Sequence, residues 1–378
     1  MAPIRTSRIG VRLQQRPDLL KIDFPNVMYR VRGIYTGLGN FMNTLWIRKL
    51  IGENTYKALR VYYQKLHYYT VVIPDGFIAS RQIHKAENGL YLDLNFGAGY
   101  GAILNEIVKL LSFENASGLR LRIRVISKFY SRSNMDCALS NYFDAVEGPE
   151  FMTFPNRNRR NSVIIRSLID VPALASMKEY RGTIEDAHRL FFSRYRFKPS
   201  LVAEAQSAFR ILTENRKNIL GIHYRGTDKT SGDRWAEGNP IDAAEFVTHA
   251  KAILEHYKDI EGVYVTTDEQ AFLDFARREI TSHPVYGEDL KRHASHGMGL
   301  HIMPGDPAEK AKEAVMIMLM LSECRYMLKT TSLLSAWAKI INPQLIAFVP
   351  QMPRVETGGY VFPDKEVYET AIPIPRPF

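Results

Sequence analysis

Cysteine is nearly absent: the 378-residue chain has only Cys137 and Cys324. Two thiols cannot build a disulfide scaffold or a cysteine-based zinc site, so a reducing cytoplasm is the expected compartment. Long apolar runs are missing as well. The longest, Ala314 to Leu321, is less than half of the roughly 20 residues that cross a bilayer. The opening Met1-Ala-Pro-Ile-Arg5 shows no apolar core of a secretory signal. Three familiar catalytic signatures are lacking: the Gly-x-Ser-x-Gly elbow, the Gly-x-x-x-x-Gly-Lys-Ser/Thr loop and the His-Glu-x-x-His pair. His293, His296 and His301 form the only histidine cluster, and their Gly- and Ser-containing setting reads as a loop rather than a zinc site.

What is present is an ordinary globular composition, 46% hydrophobic and 24% charged, with a net charge of +10. This argues against disorder, and the length suggests two domains. The basic excess is spread along the chain apart from Arg157, Arg159 and Arg160, which sit among Pro155 and asparagines as in a solvated loop or an anion-attracting patch. From Asn218 onward, strand-length apolar runs (219–223, 262–266, 325–329, 345–349) alternate with segments of helical period (242–256, 269–280, 308–322, 332–341). Such alternation predicts a parallel sheet with crossover helices. An earlier βαβ unit is predicted from strand 90–94, the loop Gly97-Ala-Gly-Tyr-Gly101, a helix over about 102–114 and strand 119–125. The expected organisation is therefore an N-terminal extension over 1–90, an α/β half over 91–200 and a second over 201–378, with the boundary between Arg181 and Arg216. The aromatic stretch Tyr56 to Tyr69 has no single face.

Parallel sheets bind ligands beyond the carboxyl ends of their strands, which directs attention to the residues following each run. Strand 219–223 leads into His223-Tyr-Arg-Gly-Thr-Asp-Lys229. An arginine there can present its planar fork to a phosphate while Gly226 lets the backbone approach; a structural pair with Asp228 is the plain alternative. Gly97, Gly99 and Gly101 between a strand and a helix can cradle phosphate or merely make a turn, and Gly37-Leu-Gly-Asn40 is a less well flanked rival. Asp268 after the 262–266 strand, and Thr330, Thr331 and Ser332 after 325–329, put a carboxylate and hydroxyls at two more edges, where ordinary N-caps are the alternative. No Asp-x-Asp occurs, so the usual metal clamp on a nucleotide diphosphate is missing and no metal site is expected. Arginine and backbone amides would have to stabilise a departing phosphate.

The 223–229 segment closely resembles the His-x-Arg-Arg-Thr-Asp-Lys motif of the α1,6-fucosyltransferases. Gly97-Ala-Gly-Tyr-Gly101 is similar to that family's Gly-x-Gly-Tyr-Gly loop. Val263-Tyr-Val-Thr-Thr-Asp268, Leu321-Ser-Glu-Cys-Arg325 and Thr331-Ser332 follow in the family's order. The resemblance spans about 91–350. It implies a GT-B glycosyltransferase, with two facing Rossmann-like domains and parallel sheets, that moves L-fucose from GDP-fucose to a glycan or glycolipid hydroxyl, with inversion and without metal or cofactor. Carried over by position, Arg225 would hold the β-phosphate. His223, Gly97, Gly99, Tyr100 and Gly101 would lie against the donor, and Asp268, Thr331 and Ser332 would line the nucleotide pocket. Asp233 aligns with the family's proposed base, and Glu237 is the alternative.

Two positions depart from the pattern. The family's second arginine is Gly226 here, and the carboxylate resembling a guanine reader is Ile317, with Glu313 one turn earlier as a substitute. A transferase using another sugar nucleotide is therefore a close rival. A basic nucleic-acid-binding protein and a non-catalytic scaffold are more distant ones; no nucleic-acid partner is expected, since no reading motif is present. Peripheral contact with an anionic inner leaflet would suit a basic enzyme acting on lipid-linked glycans.

Overall fold

The computed structural model describes residues 83, 90–133, 136–148, 162–165, 174, 180–226, 238–288, 304–354 and 358–375. These fall within one compact unit, 82–169 together with 173–378. The expectations for Gly37 to Asn40, the 56–69 stretch, the 157–160 arginines, the three clustered histidines, Asp228, Asp233 and Glu237 lie outside the described residues.

The first half is built on β1 (Leu90–Asn95), α1 (Tyr100–Ser117) and β2 (Leu121–Ile126). Leu92 and Leu94 are wholly buried, as are Ile123 and Val125 on the paired strand. On the intervening positions the sheet carries charge: Asp93 and Arg124, adjacent in register, form a buried bidentate pair with both bonds at 2.7 Å. After β3 (Phe143–Ala145) comes β4 (Ser162–Ile165), which joins the far side of β1, giving a three-stranded parallel sheet in the order β2-β1-β4.

The stretch expected to hold the boundary between halves is not bare linker. It forms α2 (Ile184–Arg194), β5 (Tyr195–Phe197) and α3 (Pro199–Leu212), and β5 pairs antiparallel with β3. Thr183 opens α2 with a capping box to Asp186, which fixes that helix end without outside help.

The second half follows the predicted alternation: β6 (Ile219–Tyr224), α4 (Ala243–His256), β7 (Gly262–Thr267), α5 (Gln270–Glu279), β8 (Val285–Tyr286), α6 (Pro307–Ser322), β9 (Tyr326–Lys329), α7 (Leu333–Ile341) and β10 (Ile346–Phe348). A short helix, α8 (Asp364–Glu369), ends it. All five strands are parallel, in the order β10-β9-β6-β7-β8. The chain runs outward from β6 through β7 to β8, then returns to the other side of β6 for β9 and β10. The strand order thus reverses between β6 and β9, and in open α/β sheets the crevice beyond such a switch point is where ligands bind.

One face of this sheet is core. Leu220, Ile222 and Tyr224 of β6 pack with Phe246 of α4 and Phe272 of α5. Gly221 points to the other face, where an added Cβ would stand 2.9 Å from Cys324 Sγ and 3.1 Å from a Leu321 methyl. His223 alternates onto that same second face.

Candidate functional site

Four chain segments meet at the switch point. His223, next to last in β6, has 5% of its surface exposed and is flanked in register by Thr266 of β7 and Lys329 of β9. Burial, then the nearby charges of Arg225 and Lys329, holds its imidazole well below its ordinary pKa, so it is neutral at pH 7. Its Nδ1 is buried and has no hydrogen-bond partner. Lys329 is itself fully buried and ion-paired with Asp364.

Arg225 is placed by its backbone. Its N–H donates to Thr330 Oγ1 at 2.9 Å, and the following Gly226 N–H donates to Asp268 Oδ1 at 3.3 Å. The guanidinium lies beside Asp268, with Nε 3.7 Å from Oδ2, and keeps 19% of the side-chain surface exposed. The structural pair expected with Asp228 lies outside the described residues; Asp268 approaches Arg225 from across the sheet edge. Asp268 is accordingly no N-cap: Glu269 takes that position on α5, without a side-chain cap bond.

Glu269 was not singled out from the sequence. Its carboxylate covers Gly226, where an added Cβ would meet Glu269 Oε2 at 2.3 Å, so a side chain there would push the Glu269 carboxylate aside. Burial, then the charge of Asp268, raises the pKa of Glu269. Two carboxylates therefore crowd the position beside Arg225, an arrangement that only the pairing of β6 with β7 could reveal.

Ser332 occupies the N-cap position of α7, yet its side chain makes no cap bond, and Oγ is buried with no partner. This contrasts with Asp242, whose carboxylate accepts from Glu245 N–H at 2.7 Å, and with Asp306, which accepts from Ala308 and Glu309 N–H. Leaving a buried hydroxyl unsatisfied costs about 1–3 kcal/mol, so a native structure that does so at a helix N-terminus calls for an explanation. Thr331 is engaged instead with Gln351, another residue that the sequence did not mark.

The 97–101 loop reaches the same place. Gly101 packs on the start of α7, where an added Cβ would lie 2.7 Å from the Leu333 carbonyl carbon, so only glycine lets α1 abut α7. Gly99 has open space at its Cβ position, and Gly97 is crossed by the Lys128 side chain. Tyr100 is buried with its hydroxyl on Ala138 O at 3.0 Å, and its N–H donates to Tyr130 OH at 3.1 Å. Tyr130 in turn feels the charges of Arg225 and of Glu313 on α6, which brings the two halves together at this point. Burial is the main cause of the raised Tyr130 pKa.

Chemically the arrangement offers a guanidinium, two helix N-termini, an orphaned hydroxyl and an orphaned imidazole nitrogen: donors and dipoles suited to a phosphate-bearing ligand. Among the described residues no group of three or more His, Cys, Asp or Glu side chains could hold a metal ion. No described helix is long and apolar enough to cross a membrane.

The sequence matches no protein-family model and no curated protein. Among solved structures it is similar to a NodZ alpha-1,6-fucosyltransferase soaked with GDP-fucose, at 16% identity and a TM-score of 0.45, covering 69% of this chain and 95% of that one. It is also similar to the fucosyltransferase NodZ from Bradyrhizobium, at 16% identity and TM-score 0.46, covering 69% and 96%. A mutant of Arabidopsis thaliana FUT1 in complex with GDP is similar at 10% identity and TM-score 0.46, covering 76% of each chain.

Proposed function

We propose that the chain is a glycosyltransferase of GT-B type that moves L-fucose from GDP-fucose to a glycan hydroxyl, with inversion and without a metal ion. The observation that carries this reading is the pair of orphaned buried groups, His223 Nδ1 and Ser332 Oγ, beside Arg225 at the point where the strand order reverses. Residues 201–378 would hold the donor and 91–200 the acceptor.

In this reading the acceptor oxygen attacks the anomeric carbon, a new C–O bond forms there, and the bond to the β-phosphate oxygen breaks to release GDP. Asp233 accepts the acceptor proton, with Glu237 as the alternative base, a role worth about 10²–10⁴-fold in rate. Arg225 neutralises the charge that develops on the departing diphosphate, and the N-termini of α1 and α7 add fixed dipoles. His223, neutral by burial, offers a polar nitrogen without adding a third cation beside Arg225 and Lys329. Glu313, half-buried on α6 one turn before Ile317, is proposed as the reader of the guanine. A cytoplasmic location, with peripheral contact to an anionic membrane surface favoured by the +10 charge, belongs to the same proposal.

Ile317 favours a second reading, in which the same machinery takes another sugar nucleotide. Calorimetry with GDP, UDP and dTDP decides between them. Selective binding of GDP, with release of GDP from GDP-fucose, supports the first; selective binding of UDP or dTDP supports the second. Binding of none of the three contradicts both.

A further inference from the structure

At the end of β6 the second half offers one guanidinium. Arg225 stands beside Asp268, and the Glu269 carboxylate covers the glycine that follows it. Lys329, the neighbouring cation, is enclosed and ion-paired with Asp364. A nucleoside diphosphate brings several negative charges to this place, and the described acids beside Arg225 already offset its single positive one.

The first half carries a cation to the loop that opens α1. β2 ends at Ile126, and the turn after it is closed by Ser131 N–H on Ser127 O at 2.8 Å. From this turn the exposed Lys128 side chain runs across Gly97, with Cε 3.1 Å and Nζ 3.8 Å from the point where a Cβ would stand. Its ammonium lies 4.7 Å from the centroid of the Phe129 ring, a contact that holds the charge in place without neutralising it. No carboxylate of the described residues pairs with it, whereas the surface lysines Lys251 and Lys312 are met by Glu279 and Glu204. Lys310 of α6 reaches the same ring at 5.8 Å, so basic side chains from both halves converge on Phe129.

The same turn also holds Tyr130, and through it the turn is fixed beside Arg225. The Tyr130 hydroxyl accepts from Tyr100 N–H at 3.1 Å, in the first turn of α1, and feels the charge of Arg225. We propose that Lys128 is a donor-binding residue, the cation that the first half adds to the diphosphate. The proposal rests on the glycosyltransferase reading and deepens it. Contact between the donor and the Gly97 end of the loop then passes through an ammonium rather than through bare backbone. Lysine acts as a point charge on a flexible stem, so its share of the binding is screened by salt, in contrast to the geometric fork of Arg225.

The test measures, by calorimetry at low and high salt, the affinity of wild type, Lys128→Met and Lys128→Arg for whichever of GDP, UDP and dTDP wild type binds best. Lys128→Met is expected to weaken binding by about tenfold at low salt and by less at high salt. Its unfolding midpoint should stay that of wild type, since the side chain is exposed. Lys128→Arg keeps the charge and should restore most of the affinity. The proposal is overturned by unchanged affinity in Lys128→Met, by a loss that is the same at both salt concentrations, or by a loss that Lys128→Arg does not restore. Wild type that binds none of the three nucleotides sinks the glycosyltransferase reading and this proposal with it. Wild type that binds one of them no more tightly than Lys128→Met does sinks this proposal alone.

Discussion

Each half of the molecule places an arginine beside an aspartate on a parallel sheet, and the two pairs differ in kind. Arg124 and Asp93 lie mid-strand, fully enclosed, with two parallel bonds of 2.7 Å. Arg225 and Asp268 lie at a carboxyl edge, partly open, with Nε 3.7 Å from the carboxylate. The first pair is enclosed within the sheet, out of a ligand's reach. The second is pre-positioned by backbone bonds and keeps part of its side-chain surface open. Charge on a sheet therefore points to a candidate site where it stands partly open at a carboxyl edge rather than enclosed mid-strand.

Substitutions that treat the pairs alike can break this comparison. Arg124→Leu strands Asp93 in the interior and should destabilise the fold by about 3–5 kcal/mol, read from denaturant unfolding. Arg225→Lys keeps the charge and loses the fork. It should leave unfolding stability close to wild type and weaken GDP binding by about 1.5–3 kcal/mol, or roughly 10–150-fold. If Arg225→Lys cost stability and spared the nucleotide, the two pairs would be of one kind after all.

A smaller effect sharpens the contrast. His223 has a folded pKa depressed below its ordinary 6.5, so the unfolded chain binds the extra proton first. The stability that neutral His223 retains is fully present above about pH 6.5 and is lost as pH falls toward the folded pKa. Wild type should lose about 1 kcal/mol between about pH 6.5 and 5.5 that His223→Gln does not lose, checked by unfolding at both pH values.

The two halves also differ in how far they could be read from sequence. In the second half, each main strand is built on a mostly apolar run between turn residues, so β6, β7, β9 and β10 fall within a residue or two of the predicted runs. Only the two-residue β8 escaped, being too short to carry a pattern. In the first half, β4 joins β1 from a distant part of the chain, and β3 and β5 are three residues each; non-local pairing leaves no local signature. The same distinction governs the site. Arg225, His223, Asp268 and Ser332 were legible as candidates because each lies at or within a few residues of a strand's carboxyl end. Glu269, Tyr130 and Gln351 act through neighbours that only the folded chain supplies. Whether Ser332 and Asp268 are ordinary caps is decided only in the folded chain, where Glu269 takes the N-cap position of α5 and the Ser332 side chain makes no cap bond.

The central claim is that the Arg225 guanidinium grips a diphosphate at the switch point of the second sheet. A crystal structure of the protein with GDP bound tests it most directly. The account predicts the guanidinium on the β-phosphate, with Ser332 Oγ donating to the same diphosphate and α1 approaching through Gly99. A nucleotide bound elsewhere, with Arg225 closed onto Asp268 and Ser332 Oγ still without a partner, would contradict it.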